Sequence, residues 1–155
     1  MTSIATLGSH CALQVLKGAK DEGFKTILVC EKKREKLYRR FKFIDEIILV
    51  DSFSEILTDE CQNKLKENDA ILIPHGTLIA QMSSDEIESI KTPIFGNKWI
   101  LRWESDRTMK EKLMLESGLD VPKSITSPKD IKKLVIAKRH GAAGGKGYFV
   151  ASSES

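Results

Sequence analysis

The chain has 155 residues, 41% of them hydrophobic, which is enough to bury one real core with room for part of another. A net charge of +3 is too small to argue for a nucleic-acid partner, and no apolar run approaches the roughly 20 residues of a membrane helix, so a soluble, cytoplasmic protein without nucleic-acid or membrane partners is expected. Three cysteines, Cys11, Cys30 and Cys61, form neither CxxC nor Cys/His spacings; they suggest neither a disulfide framework nor a zinc site, and packing roles are expected.

In chain order, short β-rich apolar runs alternate with amphipathic stretches, the pattern of a parallel sheet covered by helices. Ile4 to Leu7 reads as the first strand. A helix from His10 to about Asp21 follows, with Ala12, Val15, Leu16 and Ala19 on one face and Gly23 as its stop. Lys25 to Cys30 is the second strand. It leads into a basic run: Lys32, Lys33, Arg34, Lys36, Arg39, Arg40 and Lys42. Glu31 and Glu35 are interleaved with those cations, and Leu37, Tyr38 and Phe41 give the run something to pack with, so it reads as a solvated helix face or a subunit contact.

Glu46 to Val50 is the third strand, Phe53 to Lys66 a single helix with Ile56, Leu57 and Leu65 inward, and Ala70 to Ile73 the fourth strand. Beyond Pro74-His75-Gly76-Thr77 a helical stretch is expected, with Ser83 or Ser84 as a cap, then a short fifth strand at Pro93-Ile94-Phe95. Asp106 to Ser117 reads as a helix ended by Gly118 and Pro122. From Lys123 the chain turns to short strands, at Leu134 to Lys138 and Tyr148 to Ala151.

In an open doubly wound sheet, ligands bind at the carboxyl ends of the strands where strand order reverses. Right-handed crossovers would make strands one and four neighbours at that crevice. The loops after them, Gly8-Ser9-His10 and Pro74-His75-Gly76-Thr77, would then converge on one site, the first at a helix start that favours a phosphate or other anion. Ser9, His10, His75, Gly76 and Thr77 are therefore candidate substrate-binding residues. Each also has a plain explanation: Ser9 as a helix cap, Gly76 for a turn, a histidine as partner for a backbone carbonyl. Cys11 has no base placed for it, so a catalytic thiol is not expected. The loop after strand one lacks G-x-G-x-x-G, which sets a nicotinamide cofactor aside.

The second candidate is the glycine-dense stretch His140-Gly141-Ala142-Ala143-Gly144-Gly145-Lys146-Gly147. Such a loop lets backbone N–H groups surround phosphate oxygens, with lysine adding charge. Gly147 follows Lys146 where a Walker A loop needs Ser or Thr, and strand-like Tyr148-Phe149-Val150 follows where it needs a helix; the loop reads as a lid between two strands. Strand alternation puts Lys138 on one face with Leu134 and Ile136, an apolar wall ending in a cation. A snorkelling lysine on a flexible hairpin is the plain alternative.

Taken together, Gly8-Ser9-His10-Cys11-Ala12-Leu13, Pro74-His75-Gly76-Thr77, Arg102-Trp103-Glu104-Ser105-Asp106-Arg107 and the Lys138 loop resemble the archaeal formate-dependent formaminoimidazole-carboxamide ribonucleotide synthetases, members of the ATP-grasp superfamily. The resemblance implies an α/β fold: a Rossmann-like pre-ATP-grasp substrate domain over 1–100, then a linker helix and an incomplete ATP-grasp lid subdomain over 101–155. It implies an ATP-dependent ligase of purine synthesis, a homo-oligomer acting on formate, ATP and aminoimidazole-carboxamide ribonucleotide. His10 and Thr77 would touch the ribonucleotide, Thr77 standing where a serine is usual. Lys138 would meet a nucleotide phosphate, and Gly144, Gly145, Lys146 and Gly147 would form the lid tip. Nothing before Ser155 offers a paired-carboxylate metal site, so ligands for magnesium are expected beyond Ser155, in a longer protein or missing from a stub. A noncatalytic nucleotide-binding module, or a ligase for another amine or carboxylate, stands as the alternative.

Overall fold

The structure is a computed structural model that describes residues 2–138 and 148–153. The chain falls into two compact units, Met1–Trp99 and Ile100–Ser155.

The first unit is built on a parallel sheet of β1 (Ser3–Leu7), β2 (Lys25–Glu31), β3 (Glu46–Val50) and β4 (Ala70–Leu72), in the order β3-β2-β1-β4. Ser3 lies opposite both Lys25 and Ala70, so β1 and β4 are neighbours as the crossover rule requires. The two central strands are buried on both faces, as in a covered parallel sheet: Ala5, Ile27, Leu28, Val29 and Cys30 are wholly buried, and so are the polar Ser3, Thr6 and Thr26. Helix α1 (Ala12–Asp21) sets Ala12 and Leu16 against Leu28, Cys30 and Tyr38. Alternation along β2 therefore turns Ile27 and Val29 to the other face. Each such buried aliphatic side chain contributes about 1.5–3 kcal/mol. Gly23, at φ +83°, ends α1 in the left-handed conformation that a residue with a Cβ rarely adopts.

Three segments differ from the expectation. The basic run forms a 3-10 turn (Lys32–Arg34) and the four-residue helix α2 (Glu35–Tyr38), because Tyr38 turns inward into the core instead of continuing a solvated face. Several of its cations pair with acids, Lys32 with Asp51 at 2.9 Å and Arg39 with Glu35 at 2.6 Å. The stretch after β3 is not one helix. A 3-10 turn (Phe53–Leu57) opens on a Ser52–Glu55 capping box, and Thr58, extended at ψ 146°, caps a separate helix α3 (Asp59–Glu67) through the Cys61 N–H. Finally, the fifth strand is a single parallel bridge, Leu72 with Ile94, made by Leu72 N–H to the Pro93 carbonyl and Phe95 N–H to the Leu72 carbonyl.

After β4 come α4 (Gly76–Gln81) and α5 (Ser84–Ser89), the latter capped by Ser83 with Glu86 in return. Buried Gln62 of α3 ties this region down. Its amide donates to the Ile56 carbonyl at 2.6 Å, while its oxygen accepts from Thr92 N–H at 2.8 Å, Lys91 N–H at 3.0 Å and the Thr92 hydroxyl at 3.1 Å.

The second unit contains α6 (Ile100–Ser105), α7 (Arg107–Glu116) and an antiparallel hairpin of β5 (Val135–Lys138) and β6 (Tyr148–Ala151). The Asp106 carboxylate caps α7 by accepting from Thr108 and Met109 N–H at 2.8 and 3.0 Å, and Gly118, at φ +75°, follows its end. Among the described residues, no helix is long and apolar enough to cross a membrane.

Candidate substrate site at the carboxyl ends of β1 and β4

The sheet delivers two loops to one place. β4 continues past Leu72 along β1, with Ile73 N–H donating to the Ala5 carbonyl at 2.8 Å and the Thr6 hydroxyl donating to the Ile73 carbonyl at 3.0 Å. The next turn puts His75 against the end of β1, its Nε2 3.1 Å from the Leu7 carbonyl. Its Nδ1 lies 3.3 Å from Thr77 N–H, which makes the imidazole the cap of α4. An N–H aimed at Nδ1 requires that nitrogen to be unprotonated, so the proton sits on Nε2 and points at Leu7. Burial holds the His75 pKa below its ordinary 6.5, against the hydrogen bond to Leu7, and nearby His10 adds to the lowering. His75 is a neutral ring with both nitrogens engaged.

Across the crevice, the Ser9 and Thr77 hydroxyl oxygens lie 2.6 Å apart, with only 5% and 8% of the two residues exposed. Ser9 does not cap α1 through its side chain. Cys11 holds the cap position without a side-chain bond, and the Ser9 carbonyl accepts from Ala12 N–H at 3.0 Å. The exposed His10 ring comes within 6.4 Å of the His75 ring, centroid to centroid. Gly76 opens α4, and an added Cβ there would meet nothing within 4 Å among the described residues. At Gly8 the opposite holds. A Cβ would lie 3.2 Å from the Tyr38 ring and 3.3 Å from the Cys30 Cα, so a larger residue there would press on its neighbours by a few tenths of an ångström.

Ser9, His10, His75, Gly76 and Thr77 thus lie in two loops that meet at adjacent strand ends. Chemically they form a set of hydroxyl, imidazole and backbone donors and acceptors, fitted to orient a polar ligand. His75 is not free to act as a base toward the two hydroxyls, because both its nitrogens already engage backbone groups. Burial pushes the Cys30 and Cys61 thiols up to about 11, which suits packing residues.

Two further residues hold the first loop from behind. The buried Tyr38 hydroxyl donates to the Ser9 carbonyl at 2.9 Å, and Arg34 Nη1 lies 3.3 Å from the Gly8 carbonyl. Sequence reading had no means to single them out, since in the basic run they look like one cation among seven and one packing aromatic.

In the second unit, Lys138 stands at the end of β5 opposite Tyr148, exposed and on one face with Leu134, Ile136 and Val150. Gly144, Gly145, Lys146 and Gly147 lie outside the described residues. Among the described residues, no group of three or more His, Cys, Asp or Glu side chains could hold a metal ion.

Comparison with known proteins accords with the resemblance drawn from the sequence. The chain is 77% identical over 154 residues to the 5-formaminoimidazole-4-carboxamide-1-(beta)-D-ribofuranosyl 5'-monophosphate synthetase of Nitrosopumilus maritimus (strain SCM1), covering 99% of this chain but 45% of that protein. It therefore spans about half the length of the curated relatives it matches. The crystal structure of an IMP biosynthesis protein PurP from Thermococcus kodakaraensis superposes with a TM-score of 0.71 at 28% identity, over 95% of this chain and 48% of that one. N5-carboxyaminoimidazole synthetase from Staphylococcus aureus, complexed with ADP, shares the fold at 14% identity, with a TM-score of 0.68 over 97% of this chain and 40% of that one. The fold is α/β with a Rossmann-like, four-stranded parallel sheet, and it is shared with ATP-grasp ligases. The family model described as "Protein of unknown function (DUF1246)" matches residues 4–125, and the chain belongs to that family.

Proposed function

We propose that this chain carries the ribonucleotide-holding part of an ATP- and formate-dependent ligase that formylates the amine of aminoimidazole-carboxamide ribonucleotide in purine biosynthesis. The observation that carries this reading is the Ser9–Thr77 hydroxyl contact at 2.6 Å, which joins the loops after β1 and β4 where a parallel sheet binds ligands. The 77% identity to a synthetase of that name supplies the substrate class. Residues 1–100 form the substrate domain and 101–155 the linker helix and first ATP-grasp subdomain.

In this reading His10 and Thr77 hydrogen-bond the ribonucleotide, Ser9 fixes the Thr77 hydroxyl, His75 orders the second loop from within, and Gly76 leaves room for close approach. Lys138 meets a nucleotide phosphate, with Gly144, Gly145, Lys146 and Gly147 as the lid tip. ATP supplies the phosphoryl group that turns formate into formyl phosphate, and magnesium would offset the charge on that group. The amine nitrogen then attacks the formyl carbon, the carbon–oxygen bond to phosphate breaks, and the nitrogen loses a proton. The two loops contribute positioning: holding the amine at the reacting carbon accelerates the step without a covalent intermediate on the protein.

The test is calorimetric titration of the intact protein. His10→Ala is expected to weaken ribonucleotide binding about tenfold, roughly one lost hydrogen bond, with ATP binding unchanged. Lys138→Ala is expected to do the reverse. Equal losses for both ligands in either variant would refute the assignment of that residue.

A further inference from the structure

We infer that Tyr38 and Arg34 are positioning residues for the ribonucleotide site, bracing the Gly8–Ser9 loop so that His10 and Thr77 present one fixed geometry; this rests on the function proposed above.

The loop between β1 and α1 is short, yet all four backbone groups of Gly8 and Ser9 are held. Gly8 N–H donates to the Val29 carbonyl at 2.7 Å and Ser9 N–H to the Leu7 carbonyl at 2.9 Å. The Gly8 carbonyl accepts from Arg34 at 3.3 Å, and the Ser9 carbonyl accepts from the Tyr38 hydroxyl at 2.9 Å. Two peptide planes are thereby fixed, and these planes set where the Ser9 hydroxyl and the His10 ring point.

The two carbonyl partners come from one segment, 26 and 29 residues further along, and each is itself held. Tyr38 is 3% exposed, in the cluster with Ala12, Leu16, Leu28 and Cys30. Its ring packs close to Gly8, 3.2 Å from where a Cβ would stand. Burial raises its pKa, with the Arg34 cation nearby opposing, so the hydroxyl stays a neutral donor through the physiological range. Arg34 is anchored by Glu31, 7% exposed at the end of β2, with Nε to Oε2 at 3.4 Å. The end of β2 thus reaches the substrate loop through a buried carboxylate and a guanidinium. A tyrosine that merely filled the core would need no hydroxyl; this hydroxyl is spent on the residue whose side chain meets Thr77.

The experiment compares Tyr38→Phe, Arg34→Met and Thr77→Ala in the intact protein by calorimetric titration with the ribonucleotide and with ATP, alongside thermal melts. Tyr38→Phe keeps the ring and its packing and removes only the donor. The expected result is an approximately five- to tenfold rise in the ribonucleotide Kd, the range of a lost neutral hydrogen bond, with the ATP Kd within about twofold of the parent. Arg34→Met is expected to show the same ligand split, and Arg34→Lys, which keeps a donor and the charge, to recover part of it. A lower melting temperature with both affinities unchanged, or with both reduced equally, overturns the inference, because a purely structural role predicts no ligand selectivity. Should Tyr38→Phe not fold, the Arg34 pair decides by the same split. If Thr77→Ala loses ribonucleotide affinity while the Tyr38 and Arg34 variants do not, the brace is wrong and the proposed function stands. If Thr77→Ala also binds normally, the proposed site falls and the brace with it.

Discussion

The hydroxyl pair between Ser9 and Thr77 can be weighed by a double-mutant cycle. With both residues under 10% exposed and the oxygens 2.6 Å apart, Thr77→Val removes a hydrogen bond worth about 0.5–1.5 kcal/mol and strands a buried Ser9 hydroxyl at a further 1–3 kcal/mol. A loss of about 3 kcal/mol is the central expectation. Ser9→Ala strands the Thr77 hydroxyl in the same way. The double variant strands neither, so its loss should fall short of the sum of the singles by at least about 2 kcal/mol. Urea unfolding followed by circular dichroism at neutral pH measures all three. Losses that add to within about 0.3 kcal/mol would show that the two hydroxyls do not sense each other, and would remove the physical link between the loops.

Other outcomes follow from the same structure. His75, whose folded pKa lies below 6.5 through burial, should contribute stability that is fully present above pH 6.5 and is lost as pH falls through its folded pKa, because the unfolded chain takes up the proton first. Melts of the parent and of His75→Gln across about pH 5–8 should therefore diverge on the acid side, with a slope of at most ~1.4 kcal/mol per pH unit, and parallel curves would contradict it. Gln62→Leu orphans the Ile56 carbonyl, two backbone N–H groups and the Thr92 hydroxyl, so a loss of about 3 kcal/mol or more is expected in urea unfolding; under about 1 kcal/mol would show that water replaces the amide. Asp106→Ala should cost α7 about 1 kcal/mol, read as faster hydrogen exchange at the Thr108 and Met109 amides.

The parallel sheet was legible in the sequence because its strands bury both faces and so appear as uninterrupted runs such as Thr26–Cys30, and the neighbouring of β1 and β4 followed from crossover handedness. Helix α7 was legible through Asp106 and Gly118, residues whose only requirement is local. The breaks were harder to see. Thr58 sits in an amphipathic pattern that would continue through it, and only the competition between its extended backbone with a new cap and one longer helix divides the segment. Helix α6 was missed because Ile100–Ser105 shows no buried stripe, and none of its residues is buried. At the candidate site, small polar residues at strand ends could be picked out, but their partners could not. The carbonyls of Gly8 and Ser9 are claimed from residues 34 and 38, and nothing in a linear pattern records which backbone group a distant side chain will reach.

The bonds that join the two loops, Ser9 to Thr77 and His75 to Leu7, each span 68 residues, and Thr6 to Ile73 spans 67. Closing a loop of that length costs entropy that only a formed sheet returns. On the ribosome the first loop leaves the exit tunnel long before its partner has been made, so this crevice has no nascent form, and it takes shape when β4 docks on β1. Substitutions in it should then leave refolding rates nearly untouched and instead quicken unfolding, a kinetic signature for parts that join after the barrier has been crossed.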